Sequence, residues 1–442
     1  MRTRTATPDR VVNAVAAAVF VQWAGAAAVL PMLPLFLRRE HTSVGLVGVV
    51  MAAFFAAGVL TQYGAGHLSD RVGHRRVMLG GLAVYAVSSL GFLASIGAGG
   101  YVIFRALQGV GAGALQIAGL ALVAVVVPLE RRGRAFAKVF GAQLSGMALG
   151  PVVGSVVGLD HVKWLFVISG VSAAVAMWPV ITRASFDVPV APSRSLEPLR
   201  ISLPLVGVVI VGVVAGLCAG VYETCWSLLM TSRGAAQWQI GLSWTLFAVS
   251  FAVVSPLAGR LSDRLDRRWI ALWASALASS FILVYAFLPQ PIYLMVLGVI
   301  EAVGSALAFP AAQSLLSQLV HSEALGRAQG LFTTAESAAM AVGAAASGYL
   351  FAVTRWLPFV TAGIVAMLLL VALPWLWRDV VGRAADVGAG SAGEELRDLH
   401  GVEGGALAQV VVADEQRQPA ATLDAGVGAE PTDVRRVATR GV

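Results

Sequence analysis

Charge is scarce in this sequence. Asp, Glu, Lys and Arg make up 12% of its 442 residues, where a soluble domain carries about 25%. Cysteine is scarcer still: Cys218 and Cys225 are the only two. They lie seven apart in one apolar run, on one helical face and too distant to pair. That excludes a disulfide framework and a cysteine-based metal site. The six histidines (His41, His67, His74, His161, His321 and His400) fall at or beyond the ends of apolar runs, without a cluster. A phosphate-binding loop is missing too. Gly109-Val110-Gly111-Ala112-Gly113 is Gly-rich but lacks the following Lys-Ser/Thr. With no nucleophile constellation, neither an enzyme nor a cofactor is expected.

What fills the chain is apolar surface. Hydrophobic residues reach 58%, and the mean hydropathy is +0.79. Water alone cannot accommodate this composition, so the solvent is partly lipid. The net charge of +7 does not indicate nucleic acid, because the arginines come in short clusters between apolar runs, as in the inner loops of membrane proteins. Arg2, Arg4 and Arg10 before an apolar stretch imitate a signal peptide. The stretch is too long for one, and it reads as a retained first span.

A helix crosses the hydrocarbon core in about 20 residues. Twelve spans are predicted: Val11–Phe36, Val44–Leu68, Val77–Ile96, Tyr101–Val127, Ala135–Val157, Trp164–Ile181, Ile201–Met230, Ile240–Leu261, Trp269–Leu288, Ile292–Leu319, Ala328–Val353 and Leu357–Trp377. With the N-terminus inside, one face holds Arg71, Arg75, Arg76, Arg131, Arg132, Arg134, Lys138, Arg183, Arg194, Arg200, Arg260, Arg264, Arg267, Arg268 and Arg327. The other holds only Arg38, Arg39, Lys163, Arg233 and Arg355. The richer face is expected in the cytoplasm, with both termini. The stretch 378–442 has no sustained apolar helical face and reads as a disordered tail.

The chain repeats itself at an offset of 193 residues (259 − 66). Gly66, Leu68, Ser69, Asp70, Arg71 and Arg75 return as Gly259, Leu261, Ser262, Asp263, Arg264 and Arg268. Gly133-Arg134-Ala135 returns as Gly326-Arg327-Ala328, Gly111 as Gly304 and Gly150 as Gly343. Loop charges matching at a constant offset predict two related six-helix bundles, 1–181 and 201–377, joined by a connection over 182–200. A site is expected between them near mid-bilayer.

Three motifs sit on this frame. Gly66-His67-Leu68-Ser69-Asp70-Arg71-Val72-Gly73-His74-Arg75-Arg76 joins spans two and three. Gly73 permits a tight turn, and Asp70 is placed to pair with an arginine or to face a helix N-terminus. Arg105 opens Arg105-Ala106-Leu107-Gln108-Gly109-Val110-Gly111. A charge within a span costs about 2.5–3.5 kcal/mol on insertion scales, so it needs a partner, water, or a route to the headgroups. Gly146, Gly150, Pro151 and Gly154 lie in span five, where small residues allow close approach and Pro bends the helix. Leu30-Pro31-Met32-Leu33-Pro34 ends span one.

With these motifs the chain resembles the major facilitator superfamily, and within it the twelve-helix drug:proton antiporter group. The resemblance covers nearly everything before the tail. It implies an all-α integral membrane fold of 12 transmembrane helices in two pseudo-symmetric six-helix bundles. It also implies a cytoplasmic gate at Gly66, Asp70, Arg71, Gly73, Arg75 and Arg76, with Asp263 and Arg264 as its second copy. The second copy departs from the pattern, with Asp266 in place of the turn glycine. The resemblance further links Arg105 to proton coupling and Gly146–Gly154 to export.

Glu223, Glu301 and Glu336 fall inside predicted spans. Burial disfavours a charged carboxyl and a nearby arginine favours it, so a glutamate poised between them can load and release a proton. The bland alternative is a protonated Glu bonded to a neighbouring helix. Gln22, Trp23, Gln116, Gln143, Tyr222, Trp226, Trp244 and Phe247 are candidates for a mixed aromatic and polar substrate cavity. Trp164, Trp238, Trp269, Trp356, Trp375 and Trp377 read as interfacial. The expectation is a monomeric transporter of the plasma membrane that exports a small amphipathic molecule against protons. Its rivals are uptake or facilitated diffusion on the same fold, and a non-transporting receptor or scaffold.

Overall fold

A computed structural model describes residues 7–94, 96–182, 199–264, 266–321, 324–378 and 380. The side chains of 63, 129, 130 and 259–264 lie outside that description. The described residues are helical, with no strand among them. In chain order the helices are α1 (Pro8–Val29), α2 (Leu33–Arg39), α3 (Val44–Val72), α4 (His74–Gly91), α5 (Gly97–Val126), α6 (Leu129–Val157) and α7 (Val162–Thr182). They continue as α8 (Leu203–Ser232), α9 (Gln237–Arg264), α10 (Arg267–Tyr285), α11 (Pro291–Leu319), α12 (Leu325–Val353), α13 (Leu357–Val371) and α14 (Leu373–Leu376). Eleven stretches among the described residues are long and apolar enough to cross a membrane. The remaining long helix, α4, opens on His74-Arg75-Arg76, which lowers its hydropathy.

The predicted first span is two helices. Pro31 has no amide hydrogen to donate and its ring crowds the preceding turn, so α1 stops and α2 restarts with Pro34 in its first turn. The predicted last span breaks likewise at Ala372, before Pro374. The connection 183–198 and the tail from 381 lie outside the described residues.

The 193-residue offset is reproduced in space. A Cβ at Gly150 would lie 2.6 Å from the Ala24 carbonyl oxygen, and one at Gly343 would lie 2.5 Å from that of Leu217. Ala24 and Leu217 are themselves one repeat apart. Gly111 approaches the Gly81 carbonyl on α4, and Gly304 approaches that of Ala274 on α10. Matching glycines thus seat matching helices in each half.

The halves meet near the face poor in arginine. There Gly48 of α3 meets the backbone of Ala344 and Gly348 on α12, and Gly241 of α9 meets Pro151 and Ser155 on α6. Thr245 Oγ1 donates to the Ala148 carbonyl at 2.9 Å, and the Leu159 amide donates to Gln237 Oε1 at 2.8 Å. Further along α3, Thr334 Oγ1 donates to Gln62 Oε1 at 3.2 Å. Near the Arg-rich ends, a Cβ at Gly64, Gly66, Gly133, Gly326 or Gly330 would meet nothing within 4 Å.

Candidate functional site

The polar groups inside the bundles form two separate clusters. In the first half, α5 carries Arg105, 3% exposed. Its guanidinium lies 4.5 Å from the centre of the Phe54 ring and donates to Gln108 Oε1 at 3.0 Å. Gln108 Nε2 donates to Ser89 Oγ on α4 at 2.9 Å. Arg105 is therefore buried within its own half under an aromatic face, rather than snorkelling to a headgroup layer. Its Nε finds no partner among the described residues.

In the second half, α11 carries Glu301 at the repeat position of Gln108. It is 5% exposed, and ten residues at about 1.5 Å each put it roughly 15 Å from the start of its helix. Tyr222 donates its hydroxyl to Oε1 at 2.7 Å, and Tyr285 donates to Oε2 at 2.7 Å. The two tyrosines come from α8 and α10, so three helices converge on one carboxylate. Trp226 stands edge-on to Tyr222 and Tyr285, with ring centres 5.8 and 5.0 Å apart, and its Nε1 donates to Ser243 on α9. Together with Trp244, Phe247 and Gly298 these side chains line a cleft of about 60 Å³.

Of the eight predicted cavity residues, Tyr222, Trp226, Trp244 and Phe247 come together in this cleft. The other four lie in the first half. Gln116 bonds Gln143 at 3.3 Å between α5 and α6, Gln22 is buried with its amide unpartnered, and Trp23 is half-buried beside it in sequence. Tyr285, Ser243 and Phe54 escaped sequence reasoning. Each acquires its role only from a residue on another helix, and an aromatic or serine in an apolar run carries no such signal.

The other two predicted carboxylates are less enclosed by partners. Glu223 is buried on α8 with Oε2 unpartnered. Glu336 on α12 is half-buried, and its backbone carbonyl packs against Gly216. Among the described residues no group of three metal-binding side chains occurs. In α6, Gly146, Gly150 and Gly154 face the α1 backbone, while Pro151 turns its carbonyl toward Gly241 of the other half. Trp377 departs from the interfacial reading. It is 2% exposed, lies against Gly207 and donates to the Pro204 carbonyl at 3.1 Å.

At the Arg-rich end, Gly73 makes the predicted turn with φ +94°. Ser69 and the buried His74 ring bond each other across it. Burial holds the His74 imidazole below its usual range, and the nearby Asp70 carboxylate opposes that shift. Asp70, Arg71 and Arg76 are exposed and form no ion pair among the described residues. Arg75 donates to the Ile181 carbonyl at the end of α7, at 2.9 Å. Its repeat mate Arg268 donates to the Trp377 carbonyl just after α14, at 3.0 Å. Each arginine thus tethers the last helix of its own half. Asp266, in the glycine's place, caps α10 by accepting from the Arg268 amide and guanidinium, and that guanidinium holds its carboxyl below the usual carboxylate range. The side chains of Asp263 and Arg264 lie outside the described residues.

Comparison with known proteins agrees with this architecture. The sequence matches the Major Facilitator Superfamily over residues 15–207 and again over 208–413. It is 27% identical to multidrug resistance protein 2 of Bacillus subtilis over 386 residues, covering 83% of this chain and 95% of that one. It is 31% identical to the tetracenomycin C resistance and export protein of Streptomyces glaucescens over 167 residues, 35% of this chain and 31% of the relative. Among solved structures, the human organic anion transporter MFSD10 superposes with a TM-score of 0.62 at 19% identity, over 84% of this chain and 100% of that one. With matches spanning both halves and a fold to suit, this chain belongs to the major facilitator superfamily and is a membrane transporter rather than an enzyme.

Proposed function

We propose that the protein is a proton-coupled exporter of small amphipathic molecules, working by alternating access between its two halves. The observation that carries this reading is Glu301, a carboxylate bonded by two tyrosine hydroxyls in an aromatic cleft inside the helical bundle. A carboxylate there is a site where proton and cargo can exclude one another. Glu336 and Glu223 are the reserve candidates for the same proton, and Arg105 sets the field in the opposite half. The relatives named for drug resistance and export support the outward direction, as does the Gly146–Gly154 segment.

The functional halves are 1–181 and 201–377, with 182–200 as connection and 378–442 as tail. The Arg-rich face is cytoplasmic and so are both termini, in the plasma membrane of a monomeric transporter. Asp70, Arg71 and Arg76, which form no ion pair among the described residues, engage when the cytoplasmic end closes.

Inverted vesicles acidified inside provide the test. Adding a transported compound should release protons from the lumen, and Glu301→Gln should abolish that release. Substrate moving in the opposite direction, or proton release retained by both Glu301→Gln and Glu336→Gln, would remove the reading.

A further inference from the structure

The exposed residues of α6 form one stripe along its length. Arg131, Arg134 and Lys138 begin it at the Arg-rich end, Gly141 and Ser145 continue it, and Leu149, Val152 and Val156 complete it. Steps of three and four residues keep to one helical face throughout. That face is not spent on the neighbouring helices. α6 meets α1 through Gly146, Gly150 and Gly154, and α9 through Ala148, Pro151 and Ser155. The stripe turns away from both and looks onto lipid. α6 and α7 both pack on α1 and scarcely touch each other, which leaves a cleft with α1 as its floor. Phe20 and Ala24 of α1, Leu149 and Val153 of α6, and Ile168 and Ser172 of α7 line a volume of about 200 Å³. Ser172 is the one polar side chain in this lining, and its hydroxyl donates to the Ser169 carbonyl at 2.8 Å. A cleft so lined stays dry and takes hydrocarbon.

The two ends of the stripe suit one kind of molecule. Leu149 lies 11 residues beyond Lys138 (149 − 138), about 16 Å along the helix at roughly 1.5 Å each. Half of a hydrocarbon core of about 30 Å is about 15 Å. A headgroup at Lys138 therefore sends its acyl chain to the level of the cleft. Lys138 spends one donor of its ammonium on Asn13 of α1 and keeps two. Arg131 and Arg134 form no ion pair among the described residues. Arg132, which is off the stripe, turns back to the Val127 carbonyl at 3.1 Å. Glu130 is the only acid in α6, so the face stays positive. The repeat does not keep this face, since Arg131 and Lys138 return as Ala324 and Leu331. Excess positive charge at the Arg-rich end is common to both halves and does not account for it. We infer that α1, α6 and α7 bind an anionic glycerophospholipid from the leaflet at the Arg-rich end. Its phosphate rests on Arg131, Arg134 and Lys138, and one acyl chain fills the cleft. The site lies in the first half and does not depend on the coupling reading.

The experiment is a native mass-spectrometric titration of the full-length protein in non-ionic detergent with three probes. They are dioleoylphosphatidylglycerol, dioleoylphosphatidylcholine, which has the same chains and no net charge, and glycerol 3-phosphate, a headgroup without chains. Phosphatidylglycerol should bind at least tenfold more tightly than either of the others. Replacing Arg131, Arg134 and Lys138 together by Gln should weaken phosphatidylglycerol at least tenfold and leave phosphatidylcholine unchanged. Val153→Trp, which fills the cleft, should weaken both lipids, and Arg200→Gln, at the same end but off the stripe, should weaken neither. Equal binding of the two lipids, glycerol 3-phosphate binding as tightly as phosphatidylglycerol, or full phosphatidylglycerol affinity in the folded triple variant would overturn the proposal. A phosphatidylglycerol carrying a diazirine in its acyl chain tests the placement on the unmodified chain. Its label should concentrate on the peptides that contain Leu149, Val153 and Ile168, and an even spread over all lipid-facing helices would overturn the site.

Discussion

The two halves share a skeleton and differ in what they bury. In the first, α5 carries Arg105 and Gln108, tied to Ser89 and roofed by Phe54. In the second, the Gln108 position is Glu301, tied to Tyr222 and Tyr285. Meanwhile the glycines that seat α6 on α1 and α12 on α8 stay in register at the same offset. Packing positions have been kept as pairs, while polar positions have diverged: Arg105 has Gly298 as its repeat mate and Gln108 has Glu301, so one half buries a cation and the other an acid. The lesson is that duplication fixes the helix contacts, where a Cβ has no room, and leaves the interior polar groups free to become unlike.

The comparison breaks most easily at its shared part. Gly150→Leu and Gly343→Leu should each cost stability at the upper end of the usual 1–3 kcal/mol for overpacking, or more, because a backbone carbonyl stands where the side chain would go. Gly66→Ala should cost nothing, since nothing lies within 4 Å. Thermal unfolding of the purified proteins checks all three, and a Gly343→Leu protein as stable as the parent would end the claim of equivalent seats. Next in size is the asymmetry itself. Glu301→Gln should reduce proton-driven transport tenfold or more, whereas Gln108→Glu should leave transport measurable but alter its rate, as read in vesicle flux.

Smaller again is Gln108→Ala, which strips Arg105 of its hydrogen-bond acceptor inside the bundle. A buried group left unsatisfied costs about 1–3 kcal/mol, partly recovered here by the Phe54 face, and the melting temperature reports it. The smallest effect separates the two turns. His74 has its folded pKa depressed below the unfolded value of 6.5, so the stability it contributes is present above that pH and is lost as pH falls through the folded value. Asp266 is also depressed, so its contribution persists to lower pH and is lost only as the carboxylate range is crossed. Melting from pH 8 down to pH 4 should lose the His74 contribution first, and His74→Gln should abolish that first step.

Much of this is legible in the sequence. Apolar runs of the right length, arginine clusters and a constant offset place the helices, and Gly73 announces its turn. The breaks at Pro31 and before Pro374 blur into single runs because the residues around them stay apolar. Glu301 was readable as an acid in a span. Its clamp was not, because Tyr285 sits at the end of an apolar helix and meets the acid only across the fold. Asp266 looked like the loss of a turn glycine, whereas the structure makes it a helix cap, a role that any glycine-for-aspartate exchange at a helix start can hide. Trp377 passed for an interfacial tryptophan, since sequence cannot tell a headgroup from the carbonyl of Pro204.

Where Gly48 and Gly348 meet, the halves touch main chain to main chain, with no side chain of either residue between them. At that point no knob has to leave a hole, and the nearest one is the Tyr349 ring against Gly45. Little greasy surface is uncovered, so separating the helices there forfeits little of the hydrophobic gain that locks ordinary protein cores. Under the alternating-access proposal, a contact of this kind adds little to the cost of parting, which leaves the occupancy of buried groups by ion or ligand to weigh on which end opens.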